Sequence, residues 1–272
     1  MLAVEGMPEL QRPVLVYHFT GWVDAGGAGA GAIEFVAEHL SSSQTFARYD
    51  LAELVDLQQT RPTVRLVDGG ARTIDWPEMT FTAGNVGRDV VLAIGPEPSI
   101  HWRRFTQELV ELARNIGIVE AYGLAGMPSM VSHRRPYSAL ATATSTGLAQ
   151  EVGALRTDYH GPTGIQTVFQ VALGDAGIPT VGLWAQAPHY LAAYPSPPAV
   201  RSLLERLRDL ARLALDLRDL DTRCEEYTTR VEEGIADRPD VLEIVRSIEA
   251  QQPDLPTGDE LASEIERFLR NQ

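Results

Sequence analysis

Strands alternating with helices predict a three-layer αβα sandwich with a mostly parallel sheet, followed by a helical C-terminal region. Three observations carry this. Short apolar runs, such as residues 89–94 (DVVLAI) and 178–184 (IPTVGLW), read as strands buried on both faces, as in parallel sheets. Between such runs, apolar residues recur three and four apart, the period of a helix packed on one face. Pro195, Pro197 and Pro198 then end the alternation, and the chain beyond them reads as helix.

In order, residues 13–19 (PVLVYHF) form the first strand and 20–25 a loop. Residues 26–40 read as a helix, small residues first, then Ile33, Val36, Ala37 and Leu40. A strand is expected over 44–50, and short β pieces over 63–67, 72–76 and 79–83. Asp68-Gly69-Gly70 between the first two of these is a hairpin signal. The strand at 89–94 precedes a helix over 101–116 with Phe105, Leu109 and Leu112 on its apolar face. Residues 118–125 are the next strand, which Gly126, Pro128 and Pro136 are expected to stop. Residues 139–145 read as strand, 164–176 as helix and 178–184 as the last strand.

From 199 to about 231 the pattern is one long helix, with Leu203, Leu207, Leu210, Ala214 and Leu217 stepping by four and three. Asp221 and Thr228 spoil the repeat, so the stripe reads as core or subunit contact rather than an extended coiled coil. Pro239 and residues 253–258 punctuate two shorter helices. From residue 201 onward there are 18 acidic and 11 basic residues, a net of −7 and half of the chain's −14. The expected division is therefore an αβα core over 1–197 and an acidic helical region over 198–272.

The 272 residues are 44% apolar, ample for one large core plus an accessory element. No window of about 18 apolar residues exists, so no membrane partner is expected. Residues 1–12 lack the basic-then-apolar layout of a signal peptide. The single cysteine, Cys224, allows no intramolecular disulfide, and a cytoplasmic location is expected. All 23 basic residues are arginine, which excludes a Schiff-base or phosphate-binding lysine. The strong negative charge argues against nucleic acid, whose affinity comes mainly from phosphate neutralisation.

Residues 126–136 (GMPSMVSHRRP) hold most of the polar chemistry at a strand end, where α/β proteins place their sites. His133, Arg134 and Arg135 there can bind an anion, ion-pair with Asp24 or Glu97, or reach a neighbouring subunit. Because Arg135 precedes Pro136, the segment is expected to be extended and its two arginines to face opposite ways. One would pair within the core or across a subunit contact; the other, with His133, would line a cleft near Asp24. In GWVDAG (21–26), Asp24 can cap the following helix or act as a base. Glu97 in GPEP (95–98) sits at a strand-to-helix corner and can pair with Arg103.

Gly27, Gly29 and Ala32 match the dinucleotide fingerprint, and Asp50 lies about 20 residues on. The first glycine comes too far after the strand for that fold, so close packing of the helix on the sheet is the better reading and no cofactor is expected. His18, His133, His160 and His189 have no metal-ligand spacing, and no G-x-S-x-G elbow occurs, so neither a metal nor those nucleophiles are expected.

Five segments, GWVDAGGAGAGA (21–32), GPEPSIHWRRF (95–105), GLAGMPSMVSHRRP (123–136), GPTGIQTVFQ (161–170) and IPTVGLWAQAPHYLA (178–192), together resemble the proteasome assembly chaperone family of the second-subunit type, in its actinobacterial branch. The resemblance covers roughly residues 10–200 and extends to the acidic helical tail. It implies a core similar to nucleoside phosphorylases and peptidyl-tRNA hydrolases, and a homo-oligomer, a trimer first. It also implies protein clients such as proteasome subunits. Some relatives dock a C-terminal hydrophobic–tyrosine–any tail; this chain ends Phe268-Leu269-Arg270-Asn271-Gln272 and lacks that tyrosine. Some bacterial members carry a carboxylate–amine ligase label, which requires ATP, yet neither a P-loop nor a lysine is present to hold phosphates.

The expected function is thus an oligomeric protein with an interaction or assembly role. The rival is a hydrolase or phosphorylase-like enzyme using Asp24 or His133 as base and Arg134 or Arg135 to hold an anion, with Trp22 and Glu97 alongside. A pocket joining Asp24, Glu97, His133 and Arg135 would favour the enzyme.

Overall fold

Helices must cover both faces of the sheet, because its central strands have no polar face to turn to water. The computed structural model describes residues 1–66, 70, 72–155 and 160–251. The chain runs β1 (Leu2–Val4), β2 (Val14–Thr20), α1 (Ala28–Glu38), β3 (Ser41–Asp50), β4 (Thr63–Leu66), β5 (Arg72–Asp75), β6 (Glu78–Asn85) and β7 (Asp89–Pro96). It continues through α2 (Trp102–Asn115), β8 (Glu120–Ser129), β9 (Ala139–Ala143), α3 (Thr146–Glu151), α4 (Ile165–Asp175) and β10 (Thr180–Pro188). The helices α5 (Pro197–Ala211), α6 (Arg218–Ile235) and α7 (Pro239–Gln251) follow.

Eight strands form one sheet in the order β1-β3-β6-β7-β2-β8-β10-β9. The central four, β7, β2, β8 and β10, are parallel, and antiparallel strands flank them on both sides. The expected αβα architecture is present. In β2 the alternation assigns faces: Val14 and Val16 join the core under α1 and α5, while Leu15, Tyr17 and Phe19 join the core under α2 and α4. Tyr17, Phe19, Phe105 and Phe169 pack edge-to-face in the second core.

Two local expectations are corrected. β8 does not stop at Gly126; it pairs with β10 as far as Ser129. β2 leaves β8 at Gly123, so Pro128 falls where the strand has an open side, and a proline is tolerated there. The long C-terminal helix breaks at Arg212, which takes a left-handed conformation (φ 54°), and Leu213, Leu215 and Leu217 then pass buried along the core before α6 begins. β3 is antiparallel to both neighbours and is separated from β2 by β6 and β7, so β2, α1 and β3 do not form the parallel βαβ unit a dinucleotide fingerprint needs.

The boundary expected at 197 falls on the first residue of α5, and the apolar face of α5 is continuous with the core. Ala199, Leu203, Leu204, Leu207 and Ala211 are all 0% exposed and pack with α1 and the sheet. β4 and β5 pair as the expected hairpin, apart from the main sheet; Asp68 and Gly69 lie outside the described residues, as do residues 252–272. No helix among the described residues is long and apolar enough to cross a membrane.

Candidate functional site

The C-terminal ends of β2, β7 and β8 meet the N-terminal ends of α1 and α4, and three of the candidate residues lie there. His18 faces the same side of β2 as Val16 and is completely buried. Its Nδ1 lies 2.8 Å from the Leu124 carbonyl oxygen, so this nitrogen carries the proton and donates. Its Nε2 lies 3.2 Å from Asp24 Oδ2, without the alignment of a hydrogen bond. The Gly29 amide donates to Asp24 Oδ1 at 2.6 Å and the Ala30 amide to Oδ2 at 3.2 Å. Asp24 therefore caps α1 and is pinned to β8 by a backbone bridge to Gly126. Burial acts to raise the Asp24 carboxyl, but His18 and the two amides outweigh it and hold the group below its usual range.

Glu97 ends the neighbouring strand. Its Oε1 accepts from the Ile165 amide at 2.9 Å, capping α4, and its own amide donates to the Thr20 carbonyl at 2.9 Å. The carboxylate thus serves a helix N-terminus rather than Arg103. Trp22, 61% exposed, lies beside it, so close to Gly164 that a Cβ there would stand 2.9 Å from the indole.

His133 and Arg134 stand apart from this group, and their counter-charges are supplied by the acidic helices. The Tyr190 hydroxyl lies 2.7 Å from His133 Nδ1 and accepts from the His133 amide at 3.1 Å. His133 Nε2 lies 3.1 Å from Glu232 Oε1 in α6. Arg134 forks onto both oxygens of Glu232, at 2.6 and 3.0 Å, and approaches Glu249 of α7 at 3.5 Å. The Ser132 hydroxyl donates to Glu249 Oε1 at 2.7 Å. The expectation of His133 lining a cleft near Asp24 is thus replaced: His133 is buried under α6 against Tyr190 and Glu232. Arg135 is half-buried, its amide bonded to the Ser132 carbonyl.

Burial lowers the His133 imidazole, against Glu232 and Glu249, which raise it, and Arg134, which lowers it further. The Arg134 guanidinium brings Glu232 down to about 2, with His133 assisting and burial opposing. Both folded values lie below their unfolded ones, near 6.5 and 4.3. Each contribution is therefore complete above the unfolded value and is lost as pH falls, from about 6.5 for His133 and between about 4.3 and 2 for Glu232. We expect protection factors of amides in α6 and α7, taken relative to intrinsic exchange at each pH, to fall on acidification before those of the sheet, and Glu232→Gln to flatten the lower part of the dependence. Protection unchanged between pH 7 and pH 3 would contradict this. At neutral pH the Arg134–Glu232 pair itself contributes only about 0–1 kcal/mol, because both side chains are more than a third exposed.

Chemically, the His18–Asp24 pair is a structural one. Among the described residues no serine, threonine or cysteine hydrogen-bonds to either side chain, and His18 has no contact with solvent. Cys224 lies on α6, its thiol pushed up to about 11 by burial, far from a reactive thiolate. No cluster of His, Cys, Asp and Glu among the described residues is arranged to hold a metal ion. Sequence reasoning missed His18, Tyr190, Glu232 and Glu249. The signal for His18 was available, a histidine within an otherwise hydrophobic run (14–19), facing the same side as Val14 and Val16. Nothing in the sequence pairs Glu232, 98 residues away, with Arg134.

The model of the PAC2 family matches residues 18–235. None of the curated proteins compared matches the chain. Among solved structures, a PAC2 family protein from Streptomyces avermitilis is 37% identical, with a TM-score of 0.79 over 86% of this chain and 99% of that one. A proteasome-assembly chaperone homologue from Mycobacterium tuberculosis is 35% identical, with a TM-score of 0.78 over 85% of this chain and 99% of its own. A Corynebacterium glutamicum protein of unknown function is 25% identical, with a TM-score of 0.83 over 92% of this chain and 96% of that one. With a match spanning most of the chain and a similar fold throughout, this chain belongs to the PAC2 family.

Proposed function

We propose that this protein works by binding other proteins, in an assembly role of the kind the M. tuberculosis relative's name describes, with proteasome subunits as the client class. The observation that carries this reading is the β4–β5 hairpin. All of its strand residues are exposed. Its register sets Val64 opposite Ile74, with Leu66 on the same face, and these three are 58%, 55% and 72% exposed. Trp76, just past the hairpin, is 51% exposed. The other face is polar, with Arg65 forked onto Asp75 at 2.7 and 3.0 Å. A lone two-stranded hairpin is marginal in water, and large apolar side chains held together on a projecting element mark a protein-binding surface. The enzyme reading has no comparable support, because its two bases are committed to capping and to the α6–α7 contact. Self-association, with a trimer as the first state to examine, belongs to the same proposal.

The test is a quantitative pull-down from native cytosol, scored for proteasome subunits, with sedimentation of the purified protein alongside. Wild type should capture subunits, and a Leu66→Glu/Ile74→Glu variant that melts like wild type should lose most of that capture. Equal capture by both would remove the hairpin from the interface. Capture of no subunit by wild type would remove proteasome subunits as clients.

A further inference from the structure

At the opposite edge of the sheet, where β8 and β10 begin, a cavity of about 560 Å³ opens between α3 and the end of α5. Its lining includes Val152 and Val181, both buried, with Leu148 and Leu210 partly so. Three arginines surround this apolar floor, Arg12, Arg88 and Arg212, in a chain whose net charge is −14. Arg88 has a structural task. It donates to Glu120 at 2.6 Å, to the Ala211 carbonyl at 3.0 Å and to the Arg12 carbonyl at 3.2 Å. The side chains of Arg12 and Arg212 make no ion pair or hydrogen bond among the described residues.

The backbone carries a second, independent mark. Only four non-glycine residues among those described have positive φ, and two of them are Arg12 (50°) and Arg212 (54°). Glycine would hold either position without strain. A cationic residue kept in a strained conformation, twice and at one cavity, is the pattern of a ligand clamp. Cations are favoured at a helix C-terminus, which accounts for charge at Arg212 after α5 but not for Arg12.

We propose that this cavity binds a small amphipathic carboxylate, its apolar body on Leu148, Val152, Val181 and Leu210 and its carboxylate on Arg12 and Arg212. The charge count selects one negative charge. Three arginines face Glu120 and Glu151, a local formal balance of +1, which a carboxylate neutralises and a phosphate dianion overshoots.

Octanoate is the probe, titrated calorimetrically into the full-length protein at pH 7 and low salt. Saturable binding is expected, weakened roughly tenfold or more in Arg12→Gln/Arg212→Gln. Arg212→Gly removes the charge and relieves the backbone, so it should weaken octanoate without lowering the melting temperature. No binding of octanoate, equal binding by the double variant, or equal binding of octan-1-ol would overturn the proposal. Tighter binding of octyl phosphate would overturn the single-charge assignment.

Discussion

A chain ending at residue 197 is expected not to form a stable eight-stranded sheet. It would lack α5, whose Leu203, Leu204 and Leu207 are completely buried against α1 and the sheet. Burying one such leucine contributes about 1.5–3 kcal/mol, and truncating one to alanine costs about 2–5 kcal/mol once the cavity is counted. Losing three therefore approaches or exceeds a whole domain's stability of about 5–15 kcal/mol. Leu203→Ala or Leu207→Ala in the full chain should lower stability by about 2–5 kcal/mol. A chain ending at Leu217 keeps α5 and the buried 213–217 segment and should still melt cooperatively. Circular dichroism melts of the two truncations decide the matter. A 1–197 fragment melting like the full chain would show that the sheet needs no helix beyond the proline cluster.

Gly126→Ala and Gly29→Ala should be the most damaging glycine-to-alanine changes among the described glycines. A Cβ on Gly126 would lie 2.1 Å from the Ala25 carbonyl oxygen, which is backbone and cannot rotate away. A Cβ on Gly29 would lie 2.3 Å from His18 Nδ1 and 2.8 Å from the Leu124 carbonyl oxygen, displacing the ring that bonds there. Overpacking of this kind costs about 1–3 kcal/mol and sometimes more. These two belong at or above the upper end, since neither neighbour is the flexible tip of a side chain. Gly147 is the internal control: nothing lies within 4 Å of its Cβ position, and it sits inside α3. Gly147→Ala should be neutral or stabilise by up to about 1 kcal/mol through helix propensity. Urea midpoints of the three variants give the comparison. Gly126→Ala matching Gly147→Ala would mean that β8 and the turn before α1 do not approach as closely as described.

The glycine run illustrates what could be read in advance. Small residues from 26 to 32 were legible as close packing of a helix on the sheet, and Gly29 against His18 realises it. Asp24 as a helix cap was one of the two readings its type and position offered, because an aspartate ahead of a helix has amides to accept from, and those amides are the ones it takes.

Local pattern alone thus determined most of the strands, the helices α1, α2 and α4 and the αβα class, because period and turn chemistry act over a few residues, while the family rested on the resemblance of five segments. The tertiary structure alone decided what the polar residues do. Arg134 meets Glu232 across 98 residues, and Glu97 caps a helix 68 residues on. It also decided that β3 runs antiparallel, that the long helix breaks at Arg212, and that α5 belongs to the core. Partner choice among charges has no sequence period. It is set by which elements the packing of apolar faces brings together, and a carboxylate then takes whichever donors lie within reach.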